Sequence, residues 1–176
     1  MLNVILAEKP NQAAAYADSF SKFERKNGYF EVQDQVYEGQ TIITYGFGHL
    51  VELASPEMYS DKYQKWDLNN LPIIPDKFKF VVSKDKKAQF KIVSDWLKKA
   101  DQIIIATDSD REGENIAWSI IKLSGADVDH KIVKRLWVNS LEKVALPYKK
   151  ALKNLKMVML TTTHSLKLKR VNTVIG

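Results

Sequence analysis

The hydrophobic positions of the chain alternate between short continuous runs and sets with helical spacing. Continuous apolar runs of about four to eight residues are typical of buried strands, whereas apolar residues that recur every three or four positions indicate a helix. The predicted strands are residues 4–7, 29–38, 40–48, 102–107 and 131–138, and the predicted helices are 11–20, 86–100, 112–123 and a last one from residue 139. This alternation predicts an α/β fold with a largely parallel sheet flanked by helices.

Three local features complete this prediction. Asn11 is predicted to cap the first helix, because its side chain accepts hydrogen bonds from free N–H groups of the first turn. A turn at Glu38 and Gly39 is predicted to join two neighbouring strands. Residues 54–79 contain three prolines and no clear period, so they are predicted to form an irregular surface excursion.

Composition restricts the class of protein. The chain has 176 residues, 45% of them hydrophobic, which suits one domain with a sizeable core. It has no cysteine, which excludes disulfides and thiolate metal sites and is compatible with the cytoplasm. Residues 1–10 lack the features of a signal peptide or a membrane span. The net charge of +6 weakly favours a polyanionic partner such as nucleic acid.

The densest acidic cluster directly follows the apolar run 102–107. Asp108, Asp110, Glu112 and Glu114 fall within seven residues, where like charges repel. Ligand sites of open α/β sheets lie at the carboxyl ends of strands, and carboxylates without Cys or His suit a hard cation, so Mg²⁺ is predicted at the first three acids. The alternative is a solvated helix start, where acidic residues are favoured by the helix dipole.

Glu8 and Lys9 follow the first predicted strand in the same way. If this strand lies beside and parallel to the run before Asp108, Glu8 comes close to that residue and is a fourth candidate ligand. Lys9 is then placed to hold a phosphate as a point charge. Gly113 costs a helix roughly 1 kcal/mol relative to alanine, so it predicts the close approach of another backbone or of a ligand.

Together these segments resemble the Toprim domain of type IA DNA topoisomerases, in particular the bacterial topoisomerase III branch. The matching strings, in the order expected of that family, are "LAEKP", "YGFGHLVEL", "ATDSDREGENIAW" and "RLWVNSLEKVALPYKKAL". The resemblance covers about residues 1–156, and the "TDxDREGE" string is highly specific. The chain departs from many relatives at Ser109, where they have proline, and at Asn11, where they have serine.

The resemblance implies a compact α/β Toprim fold and assigns roles to individual residues. Glu8 matches a glutamate proposed to act in proton transfer at the scissile phosphate. Lys9 matches a lysine that contacts the phosphate near the cleavage point. Asp108, Asp110 and Glu112 match the acidic triad that holds Mg²⁺.

Three further residues match the family's motifs with less defined roles. Arg111 is a DNA-binding candidate, although it also has a simple interpretation as a charge partner of the neighbouring acids. Glu114 matches a motif position without an assigned function. His49 matches the histidine of the Gly-His-Leu segment, for which a structural role is favoured.

The resemblance also implies the reaction and what the chain lacks for it. Type IA enzymes cut one DNA strand with a tyrosine nucleophile, pass a strand and reseal the cut without ATP, and the tyrosine lies in a separate domain. None of the seven tyrosines here lies in a stretch resembling that motif. The chain is therefore expected to be a fragment that does not relax DNA alone. The implied partner is single-stranded or underwound DNA, with no nucleotide cofactor, no membrane and a cytoplasmic location.

Residues 157–176 differ from the family and contain no acidic residue. The domain is therefore expected to comprise residues 1–156, followed by an atypical tail that packs poorly or is disordered. A shifted reading frame after Lys156 is one hypothesis, and a truncated gene or a divergent C-terminus are the others. One alternative function is a stand-alone Toprim nucleic-acid-binding module. Another is a different Toprim enzyme, such as a primase or a nuclease, and the "AEKP" and "FGHLVEL" strings argue against this second alternative.

Overall fold

The computed structural model describes residues 1–33 and 38–137, which contain eight strands and three α-helices. The strands are β1 (Leu2–Ala7), β2 (Lys22–Lys26), β3 (Tyr29–Gln33), β4 (Gln40–Tyr45), β5 (Val51–Leu53), β6 (Phe80–Val82), β7 (Gln102–Ala106) and β8 (Ile132–Arg135). The helices are α1 (Pro10–Ala17), α2 (Lys87–Lys99) and α3 (Arg111–Ser124). Strands and α-helices alternate at the two ends of this part of the chain, in β1–α1 and in α2–β7–α3–β8. The described residues between α1 and α2 instead form five successive strands, β2 to β6, so the predicted alternation does not extend through most of the chain.

Six strands form the main sheet in the order β2-β3-β4-β1-β7-β8. Strands β4, β1, β7 and β8 run parallel to one another, whereas β3 runs antiparallel to β4 and β2 antiparallel to β3. Strands β5 and β6 form a separate antiparallel pair. The predicted α/β fold with a mostly parallel sheet is thus confirmed.

The central strands are buried on both faces of the sheet. Successive side chains of a strand point to opposite faces. Val4 and Leu6 of β1 therefore pack in the core that contains α2 and α3, while Ile5 and Ala7 pack in the core that contains α1. Because both faces are covered, β1 and β7 have continuous apolar sequences and not an alternation of apolar and polar residues.

Helix α3 has a clear signal at each end. Asp110 is the N-cap residue, and Gly125, just past the helix, has a φ of +72°, the left-handed conformation that commonly ends helices. Between these ends, Ile116, Ile120 and Ile121 are buried against the sheet. Packing against the sheet therefore fixes α3 directly after the short segment that follows β7.

Two local predictions need correction. Helix α1 begins at Pro10, with Lys9 as an N-cap residue that makes no side-chain cap hydrogen bond, so the predicted cap at Asn11 is wrong. Proline suits this first position because the N–H it lacks would have no helical partner there. Strand β2 was not predicted, because its sequence KFERK is mostly charged and lies exposed at the sheet edge.

The predicted excursion at residues 54–79 is confirmed as irregular. It contains short 3₁₀ turns at Pro56–Met58, Asp61–Tyr63 and Leu68–Asn70 and lies between β5 and β6. In the described part of the chain, no helix has the length and apolar character needed to cross a bilayer. The helix predicted from residue 139, the domain boundary at 156 and the tail 157–176 lie outside the described residues.

Candidate functional site

The candidate site lies where β1 and β7 end side by side. Ala7 is paired with Ala106 in the parallel ladder, so both chains leave the sheet at the same edge. The backbone N–H of Asp108 donates to Glu8 Oε2 at 3.3 Å. Glu8 is buried, with 6% of its surface exposed. The predicted proximity of Glu8 and Asp108 is therefore confirmed.

Lys9 forms ion pairs with both of these carboxylates. Its Nζ lies 2.9 Å from Glu8 Oε1 and 3.9 Å from Asp108 Oδ2. The hydrogen bond to Glu8, together with the charge of that carboxylate, raises the pKa of Lys9 above its ordinary value. The Lys9 side chain is more than half exposed, so its ammonium group is accessible to an anion from solvent.

Gln12 completes this group from the first turn of α1. Its Oε1 accepts the backbone N–H of Glu8 at 2.8 Å, and its Nε2 donates to Asp108 Oδ1 at 3.0 Å. Gln12 is buried. Sequence analysis missed this residue. The available signal was a polar side chain four residues after Glu8, in an alanine-rich helix.

Asp110 and Glu112, the other two predicted metal ligands, have different partners. Asp110 Oδ1 accepts the backbone N–H of Gly113 at 2.7 Å and so caps α3. Glu112 Oε1 lies 3.4 Å from His49 Nε2. Within residues 1–33 and 38–137, no three carboxylates or histidines come together in a group that could hold a metal ion. The structure thus brings Glu8 and Asp108 together, whereas the carboxylates of Asp110 and Glu112 contact Gly113 and His49 instead.

Arg111 and His49 line a neighbouring groove between α3 and the β5–β6 pair. The groove has a volume of about 530 Å³ and includes Glu112 at its rim. Its floor is apolar and comes from Val51, Leu53, Phe80, Ile116 and Ile120. His49 is mostly exposed and faces Glu112, so it belongs to the surface beside the acids and not to the core.

Gly113 lies against the backbone of the acidic loop. A Cβ atom at this position would lie 2.2 Å from the carbonyl oxygen of Asp108. The Thr107 hydroxyl also donates to the Gly113 carbonyl at 2.8 Å. The close backbone approach predicted for this glycine is therefore confirmed, and it fixes the start of α3 against Asp108.

A buried arginine supports the same loop from β8. Arg135 Nη1 donates to Thr107 Oγ1 at 2.7 Å, and its Nη2 donates to the Asp108 carbonyl. The same guanidinium lies 3.6 Å from Glu114 Oε2, and Trp118 Nε1 donates to Glu114 Oε1 at 2.8 Å. Burial lowers the pKa of Arg135, against the opposing effect of Glu114.

These contacts give Glu114 a structural partner and place a positive charge beneath the acids. Sequence analysis did not identify Arg135. The run KIVKRLWV, predicted as a strand, contains three basic residues, and nothing in the sequence marks Arg135 as the one that is buried and paired.

The comparisons with known proteins agree with this architecture. A family model described as the Toprim domain matches residues 3–141. DNA topoisomerase 3 of Staphylococcus epidermidis (strain ATCC 12228 / FDA PCI 1200) is 42% identical over 148 residues, which cover 83% of this chain and 20% of that protein. DNA topoisomerase 3 of Staphylococcus aureus (strain USA300) is 41% identical over 158 residues, 89% of this chain and 21% of that protein. The chain spans about a fifth of the length of the curated relatives it matches.

Proposed function

Because this chain belongs to the Toprim domain family, we propose that it is the Mg²⁺-binding Toprim domain of a type IA DNA topoisomerase. In the proposed reaction, the whole enzyme cuts one DNA strand, passes a strand through the gap and reseals it without a nucleotide cofactor. The observation that carries the proposal is the pairing of Glu8 and Asp108 at adjacent strand ends. Similarity to DNA topoisomerase 3 supports the choice of this reaction among those of Toprim proteins.

In the proposed cleavage step, Glu8 acts on the leaving group. A tyrosine hydroxyl attacks the DNA phosphorus and releases its proton to water, the phosphotyrosine bond forms and the bond to the 3′ oxygen breaks. That oxygen needs a proton, which a carboxyl group within hydrogen-bond reach can supply. During resealing, Glu8 takes the proton back from the 3′ hydroxyl as that oxygen attacks the phosphorus, and the departing tyrosine oxygen regains a proton from water. The nucleophilic tyrosine belongs to another part of the enzyme, because no tyrosine of this chain lies in a stretch resembling the family's tyrosine motif.

Lys9 and Arg111 are the proposed contacts to the DNA backbone. The exposed ammonium of Lys9 lies beside both carboxylates of the pair, which supports its proposed role in holding the phosphate being cut. Arg111 lines the neighbouring groove, and its proposed role is to hold another phosphate of the DNA. The net charge of +6 favours the same polyanion. The proposed partner is single-stranded or underwound DNA, and the proposed location is the cytoplasm.

The donor set at the site fits Mg²⁺. Glu8, Asp108, Asp110 and Glu112 offer only carboxylate oxygens, and Mg²⁺ is usually bound by one or two carboxylates while keeping several waters. Asp108 with one neighbouring carboxylate would therefore be sufficient to hold the ion, and Asp110, which caps α3 through Oδ1, would be that neighbour. When bound, the ion would supply charge neutralisation at the phosphate.

A binding experiment on the purified chain tests this proposal. We expect Mg²⁺ to strengthen binding of a fluorescent single-stranded oligonucleotide, and we expect the double change Asp108→Asn with Asp110→Asn to remove the Mg²⁺-dependent part. Asp95→Asn is the control, because it removes an exposed negative charge on α2. This change should leave the Mg²⁺-dependent part of oligonucleotide binding intact.

Two results would redirect the proposal. Salt-sensitive DNA binding that is independent of Mg²⁺ and survives the double change would indicate a non-catalytic nucleic-acid-binding module. Mg²⁺-dependent nicking of plasmid by the chain alone would indicate a nuclease.

A further inference from the structure

We infer that Gln12 is a positioning residue that fixes the orientation of the Asp108 carboxylate and ties it to the backbone of Glu8. This inference rests on the proposed function, since it concerns how the same site is held in shape. Gln12 belongs to α1, Glu8 follows β1 and Asp108 follows β7. One buried side chain therefore connects the two strand ends that carry the acids.

The chemistry of the primary amide matches its two neighbours. The backbone N–H of Glu8 needs an acceptor and receives Oε1 at 2.8 Å, while Asp108 Oδ1 needs a donor and receives Nε2 at 3.0 Å. Only amide side chains carry a strong donor and a strong acceptor on the same carbon, whereas an ionised glutamate accepts only. The hydrogen bond to Oδ1 leaves Oδ2 on the side of Lys9, which sets the direction in which Asp108 faces a ligand.

The simpler interpretation is that Gln12 only stabilises the start of α1. A glutamine in the first turn of a helix often reaches back to a backbone N–H that precedes it, and the contact with Glu8 has this form. Such a cap uses only Oε1. It does not require Nε2 to meet a carboxylate that comes 96 residues later in the chain. The second contact is therefore what distinguishes positioning of Asp108 from helix capping.

The first test measures Mn²⁺ binding by electron paramagnetic resonance on the purified chain. Gln12→Met keeps a similar shape but makes neither hydrogen bond, and we expect it to weaken Mn²⁺ binding by about 10-fold or more, as is typical when residues that orient metal ligands are changed. Gln89→Met is the matched control. Gln89 is also buried, and its Nε2 donates to the carbonyls of Gly28 and Tyr45 away from the acids.

The second test needs no metal and no activity. We expect the side-chain NH₂ resonances of Gln12 in the NMR spectrum to shift when Asp108 is changed to Asn, because a hydrogen bond to a charged acceptor is stronger than one to a neutral amide. The resonances of Gln89 should not move. This measurement remains decisive if Gln12→Met fails to fold.

The outcomes separate this inference from the function on which it rests. Equal loss of Mn²⁺ affinity in the Gln12→Met and Gln89→Met proteins, no loss in either, or unmoved Gln12 resonances in Asp108→Asn would overturn the positioning role and leave the proposed function standing. Absence of Mn²⁺ binding in the unmodified chain, together with shifted Gln12 resonances, would overturn the metal site while supporting the contact to Asp108.

Discussion

Changing Gly113 to alanine tests whether α3 must approach the acidic loop as closely as the structure shows. The new Cβ would lie 2.2 Å from the carbonyl oxygen of Asp108 and 2.9 Å from its carbonyl carbon and its nitrogen. These are backbone atoms and cannot rotate away as a flexible side chain would. The oxygen is also an acceptor of the buried Arg135 guanidinium. Either α3 or the loop that carries Asp108 must therefore move.

The two opposing contributions to stability can be compared directly. Alanine is favoured over glycine inside a helix by about 1 kcal/mol. Forcing an extra carbon into packed structure costs about 1–3 kcal/mol, and a clash with backbone belongs at the upper end of that range. The net destabilisation of Gly113→Ala is then roughly 2 kcal/mol, which for a chain of this size lowers Tm by roughly 4–8 °C.

Thermal unfolding followed by circular dichroism measures this effect, and Asn115→Ala is the control. Asn115 lies exposed on the same helix, so its change to alanine should raise Tm slightly through helix propensity alone. The displaced loop of Gly113→Ala should also bind Mn²⁺ more weakly. If Gly113→Ala proves as stable as the unmodified chain and binds Mn²⁺ equally well, the close approach of helix and loop is refuted.

Three other predictions concern the same edge of the sheet. Asp110→Ala should cost about 1 kcal/mol in urea unfolding through loss of the α3 cap, whereas Asp110→Asn should retain that stability; equal losses would contradict the cap. The raised pKa of Lys9 means that its ion pairs stabilise the fold at neutral pH and lose this effect as pH rises through the raised value. The Tm difference between Lys9→Met and the unmodified chain should therefore narrow in alkaline buffer, and a constant difference would contradict the pairing. The chain alone should not relax supercoiled plasmid in Mg²⁺, as gel electrophoresis would show, and relaxation would disprove the assignment of the nucleophile to another domain.

The parts of the fold that follow from sequence are those where one physical effect dominates. β1 and β7 are buried on both faces, so their apolar runs are continuous and unambiguous. β2 is charged and exposed at the edge, and only its pairing with β3 makes it a strand. β5 and β6 have three residues each and pair with each other across the excursion, which leaves no periodic signal. The start of α1 was misplaced because Pro10 takes the first helical position.

The site was predictable where strand order determines it. The carboxyl ends of neighbouring parallel strands bring Glu8 to Asp108, whatever the rotamers of the two side chains. The direction of the Asp110 carboxylate depends instead on a local hydrogen bond, because its Oδ1 accepts the backbone N–H of Gly113 at the start of α3. Gln12 and Arg135 are single buried polar residues, and a single residue has no period by which a pattern could reveal its partners.

The place of β1 in the middle of the sheet has a consequence for synthesis of the chain. Its two neighbours are β4 and β7, both of which follow it in the sequence, so one side of β1 stays unpaired until Ala106 has left the ribosome. During that time the N-terminal run VILA presents free backbone groups beside apolar side chains, a combination that favours pairing with other chains. The charged strand β2 protects an edge of the finished sheet. The first strand of this fold is therefore an aggregation hazard during synthesis, until β7, the later of its two neighbours, has been made.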